Sequence, residues 1–312
     1  MQPDTQAGPP GATSATGPDP ARHRLGIAVL VLCTFLWSTA GVVTRASSVT
    51  NGWEAAFWRS LFLCPVIAAL MLLQYRAGAL RRLLAIGWLG LVSSLCWATM
   101  FVCFMLALSL TTVANALFIM GVMPFCAAIA GWLFLHERVP ARTWLAIAAA
   151  TGGIGVMFHD ALRTGNLAGS LIALAIPVAA AANTVAVKLG RGRVDLVPAL
   201  FAGGAISALI AWPLALPFSA SPKDLALYGA LAVFQLALPC VLLVRVVLLR
   251  LSAAEIGLLS LLEVVLGPLW VWLALGEGPG AAVIVGGLVV LTALAVNEGV
   301  ALALERRAPR AQ

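Results

Sequence analysis

Leu135-His136-Glu137-Arg138-Val139-Pro140 is a short polar break between two long apolar segments that together run from Thr111 to Phe158. It decides the fold because the chain writes it twice. Between Leu251 and Asn297, Leu275-Gly276-Glu277-Gly278-Pro279 again interrupts two apolar segments. Aligning Glu277 with Glu137 sets Glu263-Val264 opposite Met123-Pro124 and Glu255 opposite Asn115, so the echo extends along a whole helix as well as the turn.

The residues between these breaks are too apolar for water. Hydrophobic side chains make up 62% of the 312 residues and charged ones 10%, with a mean hydropathy of +1.02, a balance that fits a bilayer protein and not a soluble domain. In hydrocarbon every backbone N–H and C=O must be paired internally, and unbroken apolar runs without two-residue alternation read as helices. The six cysteines, Cys33, Cys64, Cys96, Cys103, Cys126 and Cys240, lie inside apolar runs as small core residues, with no Cys/His cluster for a metal. No cofactor is expected. The pI of 9.6 does not point to nucleic acid, because the basic residues are spread thinly over short loops and bear on membrane orientation instead.

At about 20 residues per crossing, helices are expected near 25–45, 55–75, 84–107, 112–134, 141–158, 168–189, 197–217, 226–249, 253–274 and 279–303. The fold class is an all-α polytopic membrane protein with ten transmembrane helices. Residues 1–24, rich in Pro, Gly, Ala, Ser and Thr, read as a disordered cytoplasmic tail, and 304–312 as a second tail. With the N-terminus inside, the cytoplasmic segments carry Arg22, Arg24, Arg76, Arg81, Arg82, Arg138, Arg142, Arg191, Arg193, Arg250, Arg306, Arg307 and Arg310. Only Arg45, Arg163 and Lys223 fall outside, so both termini are expected in the cytoplasm and the chain in the inner cell membrane. Five helices in each repeat, 25–158 and 168–303, force the second to enter the bilayer in the opposite sense. The repeats are then inverted, a common device of secondary transporters.

Four features resemble the drug/metabolite transporter superfamily, in particular its ten-helix EamA-type branch. They are Leu36-Trp37-Ser38 followed by Arg45; Phe57-Trp58-Arg59; Pro124 through Leu135-His136-Glu137-Arg138; and Leu262-Glu263 through Leu275-Gly276-Glu277. Val264 stands where the family usually has proline, and His136 where it usually has glycine; the missing proline speaks against a broken helix at Val264. The resemblance implies a basket of helices around a central cavity, with the fifth and tenth peripheral, and export or exchange of amino acids, related metabolites or drugs.

The residues themselves nominate a site. Glu263 sits midway along the ninth helix, where an acidic group costs roughly 2.5–3.5 kcal/mol unless it faces protein or water. Ser260, Gly267 and Trp270 share its side. Glu263 reads equally well as a coupling carboxylate and as a buried hydrogen-bonded lock. Thr34, Trp37, Ser38 and Gly41 form a polar face on the first helix, with Asn183, Thr184 and Lys188 as their counterpart on the sixth, and Trp97 is added from the third. Hydroxyls here serve helix contacts as readily as substrate. Glu137 and Glu277 read as gates or, more simply, as caps on the following helices. Glu255 reads chiefly as a cap and secondarily as a coupling group, and Arg59 as a snorkelling residue near the surface with a gating role as the alternative.

The expected function is secondary transport: a proton-linked exporter or exchanger of small organic metabolites. An uncoupled facilitator stays open. A membrane-embedded enzyme is disfavoured, since no metal cluster or nucleophile with a base appears among the buried polar residues. The partners are a small-molecule substrate and the lipid bilayer, with no nucleic acid; glycines in the fifth and tenth helices are compatible with a homodimer.

Overall fold

A computed structural model describes residues 20–111, 113–157, 167–190, 197–247, 250–275 and 281–307. Among them there is helix and no strand. Seven stretches are long and apolar enough to cross a membrane: Ala21–Thr44, Gly52–Leu84, Gly87–Leu110, Leu167–Leu189, Val197–Ala215, Pro222–Val247 and Ala253–Ala274. Their outer faces are bare hydrocarbon, as at Leu73, which is 80% exposed, so lipid is the solvent that the surface suits.

The breaks within these stretches have local causes. The first is α1 (Pro20–Ser38) followed by α2 (Ala40–Ala46). At the junction the hydroxyls of Ser38 and Thr39 each donate to the carbonyl three residues back, at 2.7 Å, which competes with the helical ladder and bends the chain. Next come α3 (Gly52–Tyr75), whose start is capped by the Asn51 side chain, α4 (Ala79–Leu84) and α5 (Gly87–Leu110).

The fourth expected helix is two, α6 (Val113–Met120) and α7 (Met123–Leu135). Pro124 explains the interruption, since it lacks an N–H and suits a helix start. Then follow α8 (Ala141–Met157), α9 (Leu167–Leu189) and α10 (Val197–Ala215).

The eighth expected helix opens with α11 (Pro222–Ala230). It continues through a wide π-helical segment, Leu231–Ala237, the short α12 (Leu238–Leu242) and a second π-helical segment, Leu243–Val247.

The ninth divides at Leu261 into α13 (Ala253–Ser260) and α14 (Leu262–Leu275). The missing proline had argued for continuity there. Instead, Ser260 Oγ donates to Ile256 O at 2.7 Å, and bonds from Leu261 N to Leu258 O and from Val264 N to Leu261 O tighten the turn, so hydroxyl and backbone replace the proline. The chain's last helix is α15 (Ala281–Arg307).

The helices pack in a pattern that leaves the centre open. α9 lies on α5 and α7, α10 on α3 and α5, and α1 on α12, α13 and α14, while α8 and α15 pack chiefly on each other. One apolar core joins α1, α3, α10 and α12, and another joins α7, α8, α13 and α15. At the α7–α13 crossing, a Cβ on Gly257 would meet Ala127 Cβ and Pro124 Cα at 2.9 Å. Only glycine permits that approach.

Candidate functional site

The centre is a cavity bounded by α1, α3, α5, α7, α9, α13, α14 and the first π-helical segment. Among its lining residues are Trp37, Arg59, Trp97, Asn183, Gln235 and Glu263. Its free space for water centres is about 120 Å³, against the ~10–15 Å³ that one water needs. With these polar groups in the wall, the cavity has room and partners for water.

Arg59 enters from α3 and is 2% exposed. The expectation that it snorkels is therefore corrected: its side chain points into the bundle and not to the surface. Nη1 donates to Gln235 Oε1 at 3.5 Å and Nη2 to Phe101 O at 3.4 Å. The guanidinium also lies over the rings of Phe104, 5.3 Å away, and Phe101, 6.0 Å away. Long hydrogen bonds and aromatic faces hold this cation without a direct carboxylate partner. Glu263, half-buried on α14, lines the same cavity, but no ion pair joins it to Arg59 among the described residues. One arginine from the first half of the chain and one carboxyl group from the second thus line a single cavity.

Trp37, Trp97, Asn183 and Ser260 also line it. Trp97 is set deep because α10 presents Gly203 there, where a Cβ would meet Trp97 Cβ at 2.5 Å. Asn183 is oriented from α5, accepting from Ser93 Oγ at 2.6 Å. Ser38 and Trp270 are not in the cavity wall. They bond to each other, Trp270 Nε1 donating to Ser38 Oγ at 2.7 Å, with Phe35 edge-on to the indole at 5.1 Å. Gln235 had escaped notice, although a lone amide in an apolar stretch is itself a signal. It sits in a π-helical segment, where the widened turn re-aims side chains.

At one end of the bundle Glu137 joins the two halves. Lys188 Nζ donates to its Oε1 at 2.5 Å and also to Leu251 O at 2.7 Å, and Ala253 N donates to its Oε2 at 2.8 Å. Glu137 therefore caps α13 in the opposite half, where the sequence suggested α8. His136 explains the redirection, for it takes the left-handed conformation at φ 54° and ends α7 there. Glu255 forms a capping box with Ser252 and meets His23 Nε2 at 3.2 Å. Glu277 and the Arg45 side chain lie outside what the structure describes.

The other end is tied by acids that the sequence did not single out. Glu54 accepts from Ser219 N, Ser219 Oγ, Ala220 N and Trp58 Nε1. Asp224 accepts from the backbone and hydroxyls of Ser48 and Ser221. These bonds hold the loop before α3 against the loop before α11.

Helices throughout the described segments, lipid-facing sides and a chamber between the halves with a few polar groups in its wall have the form of a multi-pass membrane transporter. Residues 24–159 match the EamA-like transporter family. The chain is also 27% identical over 275 residues to the Pseudopaline exporter CntI of Pseudomonas aeruginosa, in strains UCBPP-PA14 and PAO1, covering 86% of this chain and 94% of that protein. A solved structure described only as "Crystal structure of protein" shares the fold, with a TM-score of 0.71 at 20% identity over 90% of this chain and 98% of that one. These likenesses, to an EamA-like transporter family over residues 24–159 and to a protein named as an exporter, indicate a transporter and not an enzyme.

Proposed function

We propose that the chain is a proton-linked exporter of small organic metabolites, amino acids and related compounds among them, working by alternating access. The observation that carries this reading is that Arg59 and Glu263, from opposite halves of the chain, line one cavity. The cation suits an anionic group of a substrate, and Glu263 is the carboxylate whose proton is exchanged during the cycle. Similarity to a protein named as an exporter favours the outward direction.

The reading includes ten crossings in two inverted five-helix repeats, with both termini cytoplasmic. Two features support it. The breaks at Gly121–Val122 and at Leu261 fall at matching places once Glu137 is set on Glu277. The contacts also pair off under exchange of the halves: α5 with α9 answers α1 with α12, α7 with α9 answers α1 with α14, and α5 with α10 answers α3 with the first π-helical segment. The bundle end bearing His23, Glu137 and Lys188 is the arginine-rich one and is assigned to the cytoplasm.

In this scheme the Lys188–Glu137–Ala253 cluster is the cytoplasmic closure, and the Glu54 and Asp224 clusters are the external one. The two cannot open together without exposing the cavity to both sides.

Purified protein in vesicles tests the function directly, with a panel of amino acids, amines and drugs supplied with and without an imposed pH gradient. The expected result is accumulation of at least one class against its gradient only when protons flow the other way. Transport at the same rate and to the same end point without the gradient identifies a facilitator and overturns proton linkage.

A further inference from the structure

A groove runs along the outer face of the bundle between α8 and α15, sharing no lining residue with the central cavity. Leu145 and Ala149 form one wall, Leu288, Thr292 and Val296 the other, and Arg142 is its one charged lining residue. On α15 the lining runs from Val285 to Val300, about 22 Å along the axis and longer than the ~15 Å of one hydrocarbon leaflet. Leu145 is 72% exposed and Val296 59%, so no other part of the described chain covers the groove. Arg142 Nε is buried and finds no acceptor within the described residues. A cation with an unmet donor at one end of an apolar slot asks for an anion carrying a long apolar chain.

We infer that this groove is a binding site for an anionic phospholipid, with an acyl chain between α8 and α15 and the phosphate on Arg142. The orientation proposed above sets Arg142 at the cytoplasmic leaflet, where anionic lipids concentrate and basic pockets between helices hold their headgroups. A second copy of the chain fits the groove less well. Symmetric pairing about an axis along the membrane normal sets the same residue of both copies at one depth, so two Arg142 cations would approach each other.

The test is lipid retention by the full chain in detergent, followed by native mass spectrometry with phosphatidylglycerol or phosphatidylcholine of identical acyl chains. This readout depends neither on orientation nor on transport, so its failure is separate from a failure of the proposed function. Phosphatidylglycerol is expected to be held in preference by about fivefold, the contribution of one basic residue. Arg142→Gln should erase the preference, Ala149→Phe should reduce retention of both lipids, and glycerol phosphate without acyl chains should not compete. Thermal unfolding checks that both variants remain folded. Equal retention of the two lipids, an unchanged preference in Arg142→Gln, or a lipid-free dimer that Ala149→Phe dissociates would overturn the inference.

Discussion

A Glu263→Gln variant is expected to reach the membrane folded, bind substrate and yet lose the acceleration that a pH gradient gives the native protein. The amide keeps the shape of the side chain and most of its hydrogen-bonding capacity, so a purely structural role survives the change. It cannot carry a proton at transport pH. Arg59 then faces no carboxyl group from α14 across the cavity, so anionic substrates should be retained longer. The expected signature is gradient-driven efflux reduced at least about tenfold, the scale of a lost charge interaction of ~1.4 kcal/mol, with passive exchange preserved. Normal gradient-driven efflux in Glu263→Gln would remove Glu263 from the coupling step.

The second large effect is expected at Glu137 and Lys188, and it should be unequal. The Lys188 side chain is 4% exposed and that of Glu137 21%. Glu137→Ala takes the carboxylate away from a buried ammonium, which keeps its bond to Leu251 O, and also deprives Ala253 N of its acceptor, a loss on the order of 3–5 kcal/mol. Lys188→Met leaves a carboxylate that still reaches water and the α13 backbone, so its cost should be nearer ~2 kcal/mol. The double variant, with no buried charge left unpaired, should recover part of the stability lost in Glu137→Ala. Thermal unfolding of the three purified variants gives the order. Equal losses that simply add would show that the two groups do not act as a pair.

These effects also mark how far the residues could be read in advance. Helix positions were legible because a bilayer demands long apolar runs and the punctuation between them is polar; α9 and α13–α14 lie within a residue or two of expectation. The breaks were less so. Pro124 signals one, but the turn at Leu261 depends on Ser260 folding back on its own helix, and no period in the sequence encodes a rotamer.

Trp37, Trp97, Asn183, Ser260 and Glu263 were nominated because polar and aromatic groups in hydrocarbon need a polar surrounding, and all five line the cavity. Counting residues to the surface puts Arg59 within snorkelling reach but ignores the direction of its side chain, which is buried in the bundle. Ser38 and Trp270 were taken separately, and their mutual bond, 232 residues apart in sequence, arises only from the contact of α1 with α14. Long-range pairs such as Lys188 with Glu137, or Asp224 with Ser48, are products of the tertiary fold.

Alternating access requires that one cavity, lined by Arg59 and Glu263, open to each side of the membrane in turn. Ser260→Cys, on a background with the native cysteines replaced, puts a reporter thiol on the cavity wall without requiring the substrate to be known. Its labelling by a membrane-impermeant thiol reagent, applied to one side and then the other of oriented vesicles, is the most direct measurement. Labelling is expected from both sides, with an imposed pH gradient raising one rate and lowering the other. Labelling from a single side under every gradient, or from neither, would contradict it.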